Sequence, residues 1–104
     1  MLERFCTDFN YEPMAFDAVD SGGVPVYHTN VMACVGTEVA LMALDLIPDE
    51  QRREQVRERL TVNGRKVVGL TEEQVREFAG NAVELCGRTP DGRPRYVMAM
   101  SARA

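Results

Sequence analysis

Val39–Leu44, with the sequence VALMAL, is the longest uninterrupted apolar run of the chain and decides how its neighbours are interpreted. Every position is apolar, so the run lacks the alternation expected of a strand with one face in water. Continuous apolar runs of this length are typical of strands that are covered on both faces. The sequence therefore predicts that residues 39–44 form the most buried strand of the fold.

A helix over residues 49–62 is predicted to follow this strand. Pro48 suits a first helical position, and Asp49 suits the first turn because a carboxylate is stabilised at the positive end of the helix dipole. Within the charged middle of this segment only Val56 and Leu60 form an apolar i,i+4 pair. So narrow an apolar stripe predicts a helix on the outside of the fold.

A second strand, Lys66–Leu70, is predicted to lead into a short helix that ends at Gly80. Thr71 and Gln74 have the spacing of a capping box, in which each side chain bonds the other residue's backbone N–H. Three apolar residues share one predicted face of this helix at i, i+3 and i+4: Val75, Phe78 and Ala79.

The remaining strands lie towards the two ends of the chain. Val24–Tyr27 is predicted as a short strand that Pro25 confines to an edge, since proline has no N–H to donate. Ala82–Cys86 and Tyr96–Met100 are predicted as a hairpin around the turn residues 89–92, TPDG. The fold class is therefore α/β, with a mixed sheet, one longer helix and one short helix.

Composition limits the class of protein. The chain has 104 residues, of which 45% are hydrophobic and 27% charged, and these are ordinary values for one folded domain covering residues 1–104. The net charge is −4, so no basic field is available to bind nucleic acid or a membrane surface. No apolar run approaches the roughly 20 residues of a membrane span, and no signal-peptide hydrophobic region is visible. The sequence predicts a cytoplasmic protein.

The three cysteines, Cys6, Cys34 and Cys86, have spacings that fit neither a disulfide framework nor a metal site. They are predicted to be reduced thiols that are buried separately. No metal or cofactor site is predicted.

His28 is the only histidine and therefore the only side chain with an ordinary pKa near neutrality. A single histidine at a strand end is more often structural than catalytic. However, His28, Thr29 and Asn30 form a polar triplet between the predicted strand and an apolar segment, Val31–Val35. Polar groups at strand ends are where α/β folds usually place their chemistry.

Three stretches together resemble one family. The first is Phe16–Gly36, FDAVDSGGVPVYHTNVMACVG; the others are FAGN at residues 78–81 and MAMSA at residues 98–102. They resemble the guanidino-group modifying enzymes, which include amidinotransferases, and most closely the arginine-deiminase-related branch with the bacterial citrulline hydrolases. The resemblance implies a pentein fold, a five-bladed α/β propeller of ββαβ-type modules, and implies that this chain supplies about one module.

The resemblance also implies roles for particular residues. His28 matches the general acid and base, which protonates the departing amine and then activates water. The family's nucleophilic cysteine lies in a later Gly- and Ser-rich module, so Cys34 and Cys86 do not match it. The family's carboxylates lie in an earlier module, and Asp17 and Asp20 do not match those. We therefore expect a partial hydrolase domain that is inactive alone.

Two asparagines are candidate substrate-binding residues. In the arginine-cleaving branch the residue two after the histidine is an acid, whereas Asn30 is uncharged and suits the neutral ureido group of citrulline better than a guanidinium. Asn30 could instead cap a turn. Asn81 either orients the site or terminates the preceding helix. The expected partner in the complete enzyme is a small amino acid, citrulline or arginine.

A non-catalytic binding or oligomerisation module is the alternative function. In the predicted last strand, Tyr96, Met98 and Met100 alternate onto one face as an apolar row that the narrow helix cannot cover. A homo-oligomer with Met98 or Met100 in the contact is therefore expected.

Overall fold

The computed structural model describes residues 1–104. Its helices and strands, in chain order, are α1 (Leu2–Phe9), α2 (Thr29–Met32), β1 (Ala33–Val35), β2 (Val39–Met42), a 3-10 turn (Leu44–Leu46), α3 (Glu50–Thr61), β3 (Lys66–Gly69), α4 (Glu72–Arg76), β4 (Val83–Arg88) and β5 (Pro94–Ala99). Helix α1, helix α2 and strand β1 were not predicted from the sequence. None of the helices has the length and apolar character that crossing a membrane requires.

Strands β1, β2 and β3 form one sheet, in that order, with β2 at its centre. Strand β1 pairs antiparallel with β2, and β3 pairs parallel with β2 after the crossover through α3. The segment from β1 to β3 is thus a ββαβ unit with a mixed sheet. This confirms the predicted α/β class.

The central strand is the core of this unit. Every residue from Ala40 to Leu44 is buried, and Ala40 and Ala43 are fully so. The prediction for VALMAL is confirmed for burial, but the strand ends at Met42. Ala43 leaves the extended conformation, and the 3-10 turn that follows keeps Leu44 and Leu46 in the core.

Helix α3 forms as predicted, with a difference at its start. The Asp49 carboxylate accepts hydrogen bonds from the backbone N–H groups of Gln51 and Arg52, at 3.0 and 3.3 Å. Asp49 is therefore the N-cap, and Pro48 lies before the helix rather than at its first position. Val56 is buried while most of the helix is exposed, which confirms an outer helix with a narrow apolar stripe.

The predicted strand Val24–Tyr27 is wrong. Only an isolated bridge between Val19 and Pro25 forms there. The Asp20 carboxylate accepts from the backbone N–H groups of Gly22 and Val24, both at 2.9 Å, and folds the loop onto itself. His28 consequently does not end a strand; it is the N-cap residue of α2.

The capping box of α4 is confirmed: the Thr71 hydroxyl accepts from the Gln74 N–H at 3.1 Å, and the Gln74 side chain accepts from the Thr71 N–H at 3.0 Å. The predicted end at Gly80 is wrong, because regular helix stops at Arg76. Phe78 adopts a left-handed conformation with φ of 69°. Phe78 is 64% exposed while Val75 and Ala79 are buried, so the predicted apolar face does not include Phe78.

Strands β4 and β5 form the predicted hairpin as a separate two-stranded sheet. The hairpin turn has Gly92 in the left-handed region, with φ of 86°. Beside it the Thr89 hydroxyl donates a hydrogen bond to the Asp91 carboxylate, which lowers the pKa of Asp91.

The hairpin docks onto the three-stranded sheet through one face. The Glu84 carboxylate accepts from the Thr37 backbone N–H and hydroxyl, each at 2.7 Å. Met98, on the same face as Glu84, lies 4.0 Å from Cys34 and is half-buried. Tyr96 is also half-buried, so the predicted uncovered row is wrong for Tyr96 and Met98, whereas its third residue, Met100, is exposed. The uncovered row lies on the opposite face: Val83, Leu85 and Val97.

All three cysteines are free. Cys6 is buried and Cys34 is half-buried, with its thiol donating to the Ala82 carbonyl at 3.3 Å. Cys86 is exposed, against the prediction, because the outer part of the hairpin extends beyond the core.

Candidate functional site

A cavity of about 340 Å³ brings Asn30 and Asn81 together. Asn30 lies in the short helix α2, and Asn81 follows α4 immediately before the hairpin. The two residues are 51 positions apart in the sequence. Apolar side chains form part of the wall between them: Val26, Val31, Leu46 and Val75.

Gly80 explains why the two segments meet. A Cβ atom added at Gly80 would lie 2.5 Å from the carbonyl oxygen of Val31 and 2.8 Å from the backbone nitrogen of Ala33. Such distances are far below van der Waals contact, so a side chain at position 80 would push the two segments apart. Glycine therefore permits the backbone contact that places Asn30 and Asn81 in one cavity.

The side-chain amides of Asn30 and Asn81 are exposed and form no hydrogen bond with another residue of the chain. Each amide offers an N–H₂ donor pair and a carbonyl acceptor. The cavity thus presents two neutral groups, each able both to donate and to accept hydrogen bonds.

The charged residues at the rim of the cavity already form hydrogen bonds or ion pairs within the chain. The Glu72 carboxylate accepts from the Ser21 backbone N–H at 3.2 Å and from the Ser21 hydroxyl at 3.1 Å, and it pairs with Arg76 at 3.0 Å. Asp20, also in the rim, holds its own loop through the two backbone bonds described above. Two carboxylates and one guanidinium leave the rim with one excess negative charge.

His28 does not line this cavity. It is exposed at the start of α2, two residues before Asn30, and its side chain forms no capping hydrogen bond. The Cys34 thiol is directed to the Ala82 carbonyl, between the sheet and the hairpin, and Cys86 lies on the hairpin. Two of the three predicted site residues, Asn30 and Asn81, thus line one cavity, and His28 lies outside it.

Sequence reasoning missed Phe78, which also lines the cavity. The sequence predicts that Phe78 shares an apolar helix face with Val75 and Ala79, and its left-handed backbone carries no signal in the sequence. The adjacent Gly80 and Asn81 did offer a signal, because both residue types are common where a helix ends.

A larger cavity, of about 440 Å³, lies between residues 12–14 and helix α3. Charged side chains dominate its wall, and the ion pair of Arg59 with Glu12, at 2.8 Å, joins its two sides. It contains none of the predicted site residues. No cluster of three or more His, Cys, Asp and Glu side chains is arranged to hold a metal ion.

Comparison with known proteins gives one finding. A protein-family model described as "N,N dimethylarginine dimethylhydrolase, eukaryotic" matches residues 1–104. No curated protein and no solved structure matches the chain.

Proposed function

The chain belongs to the N,N-dimethylarginine dimethylhydrolase family, and we propose that the cavity between Asn30 and Asn81 recognises the ureido group of citrulline, the group that remains when a C–N bond of an arginine derivative's guanidinium is hydrolysed. The family relates the chain to hydrolases of small arginine derivatives. The α/β architecture, with its ββαβ unit, is compatible with one module of a pentein fold.

The neutral amides of Asn30 and Asn81 are the observation that carries this proposal. A ureido group has a carbonyl acceptor and N–H donors, which match the donors and acceptors of a side-chain amide. A guanidinium group has only donors, so the amide N–H₂ groups would face it without an acceptor. Both asparagines are exposed in the free chain, so this mismatch counts only where the bound ligand covers the amides, at about 1–3 kcal/mol for each unpaired donor.

Arginine is the second candidate ligand. The excess negative charge of Asp20 and Glu72 over Arg76 in the rim favours a cation. Both carboxylates already accept hydrogen bonds from the chain, which weakens this attraction. A single substitution, at Asn30, tests which of the two ligands the cavity prefers.

We predict that the wild-type chain binds citrulline more tightly than arginine and that Asn30→Asp reverses this preference by about tenfold or more. A carboxylate at position 30 would accept charge-assisted hydrogen bonds from a guanidinium, which contribute about 1.5–3 kcal/mol. Titration calorimetry with both amino acids measures the change. Asn63→Asp is the control, because Asn63 lies outside the cavity. Equal preference in wild type and Asn30→Asp would contradict the proposal.

His28 is proposed as the general acid and base of the complete site. In its acid form the imidazolium gives a proton to the nitrogen that departs when the C–N bond breaks. In its base form the imidazole takes a proton from the water that attacks the same carbon. An exposed side chain beside Asn30, at the end of a loop, is compatible with both steps.

We predict that the purified 104-residue chain releases neither ammonia nor ornithine from citrulline or arginine. Covalent catalysis needs a nucleophile within hydrogen-bond reach of its base, and the Cys34 thiol is instead bonded to the Ala82 carbonyl. Ammonia release assayed with each amino acid is the test. Turnover that disappears in His28→Ala would contradict the prediction, and loss in Cys34→Ser as well would identify Cys34 as the nucleophile.

The uncovered hairpin face favours a second candidate function, a binding or oligomerisation module. Val83, Leu85 and Val97 are 60%, 55% and 48% exposed and lie together on one face of a two-stranded sheet. Apolar rows of this kind mark interaction surfaces. Met100 is also exposed, but strand alternation places it with Tyr96 and Met98 on the opposite face, so the contact proposed here contains neither methionine. That residues 1–104 form a single cytoplasmic domain stays a prediction.

Self-association is therefore expected at tens of micromolar. Sedimentation equilibrium of the wild type should give a mass above that of one chain, and Leu85→Lys should shift it towards the monomer because a charge would be buried in the contact. Val62→Lys is the matched control, since Val62 is 71% exposed at the end of α3. A wild-type monomer would rule this function out.

A further inference from the structure

Phe78 stands out because an aromatic residue occupies a backbone conformation that normally belongs to glycine. Only two non-glycine residues of the chain have positive φ, Asn10 and Phe78. Asparagine tolerates the left-handed region, whereas a bulky side chain there is a rare exception. Glycine is the usual residue at this position, just after a helix end.

Hydrogen bonds on both sides hold Phe78 in this conformation. Its N–H donates to the Val75 carbonyl at 3.0 Å, and its carbonyl accepts from the Asn81 N–H at 3.1 Å. The next residue, Ala79, is buried and donates to the Gln74 carbonyl at 2.9 Å. The orientation of Phe78 is thus determined by its surroundings and coupled directly to Asn81.

Packing does not account for the phenyl ring. Phe78 is 64% exposed, so its burial contributes little to folding, and the left-handed backbone is strained for any residue with a β-carbon. Glycine would satisfy the backbone without strain. Yet the ring lines the same cavity as Asn30 and Asn81.

We propose that Phe78 is a ligand-contact residue whose ring stacks against the planar ureido group held by Asn30 and Asn81. This inference rests on the proposed function. The amides bond a ureido group at its edges, in its own plane, which leaves its two faces without a partner. An aromatic ring covers one face and excludes water from the hydrogen bonds, which strengthens them.

Phe9 provides a matched control for this role. Phe9 is 62% exposed, close to the value for Phe78, but it lies on α1, where its ring packs against that of Phe5 with centroids 4.7 Å apart and a tilt of 35°. It does not line the cavity. A general effect of removing an exposed ring would therefore appear equally at Phe9.

The test is titration calorimetry of the full chain with L-citrulline. We expect Phe78→Leu and Phe78→Gly to weaken binding by about two- to tenfold, the range for losing one stacking contact, whereas Phe78→Tyr and Phe9→Leu bind as the wild type does. Thermal unfolding of each variant accompanies the titration. Phe78→Gly should unfold at or above the wild-type temperature, so its lost affinity cannot come from misfolding.

The test distinguishes a failure of the role proposed for Phe78 from a failure of the proposed function. If the wild type binds citrulline and Phe78→Gly binds it equally well, the role of Phe78 is overturned while the proposed function stands. If the wild type does not bind citrulline, the proposed function fails and the inference fails with it. Equal weakening in Phe78→Leu and Phe9→Leu would also overturn the inference.

Discussion

At Gly80 the backbone of residues 78–81 passes so close to residues 31–33 that no side chain fits between them. A β-carbon there would meet the Val31 carbonyl oxygen at 2.5 Å and the Met32 carbonyl carbon at 2.8 Å. Contacts this short are possible only for glycine. Everything proposed for the cavity depends on this approach, because it joins the segment carrying Asn30 to the one carrying Asn81.

The central sheet supplies the frame for this contact. Ala43 donates to the Met32 carbonyl at 2.9 Å, and Leu70 donates to the Met42 carbonyl at 3.0 Å. Strand β2 therefore holds the end of α2 on one side and the start of the α4 segment on the other. Since the interior of β2 is fully buried, neither neighbour can shift without disturbing the core. The position of Gly80 thus follows from a strand nearly 40 residues earlier.

Local rules predicted much of this fold, and long-range contacts account for what they missed. The burial of VALMAL, the length of α3 and the capping box of α4 follow from periodicity and helix-end chemistry, and all are confirmed. The sequence predicted that the Tyr96 and Met98 face of the hairpin is uncovered, because alternation defines two faces but does not say which one docks; the Glu84–Thr37 hydrogen bonds decide that. The exposed Phe78 was missed because helical periodicity carries no signal for the left-handed backbone that residue 78 adopts. The family resemblance is confirmed in its coarse form, as a relation to arginine-derivative hydrolases, while the roles of His28, Asn30 and Asn81 stay predictions.

Replacing Gly80 by alanine tests most directly whether this backbone contact creates the site. The Gly80→Ala variant should lose about 1–3 kcal/mol of unfolding free energy, the usual cost of overpacking, and should also bind citrulline more weakly than the wild type. Gly87→Ala is the control, because a Cβ there meets no atom within 4 Å; it should change stability by no more than about 0.5 kcal/mol and leave affinity unchanged. Chemical denaturation combined with calorimetric titration gives both values. A Gly80→Ala protein that matches the wild type in stability and in citrulline affinity would contradict the account.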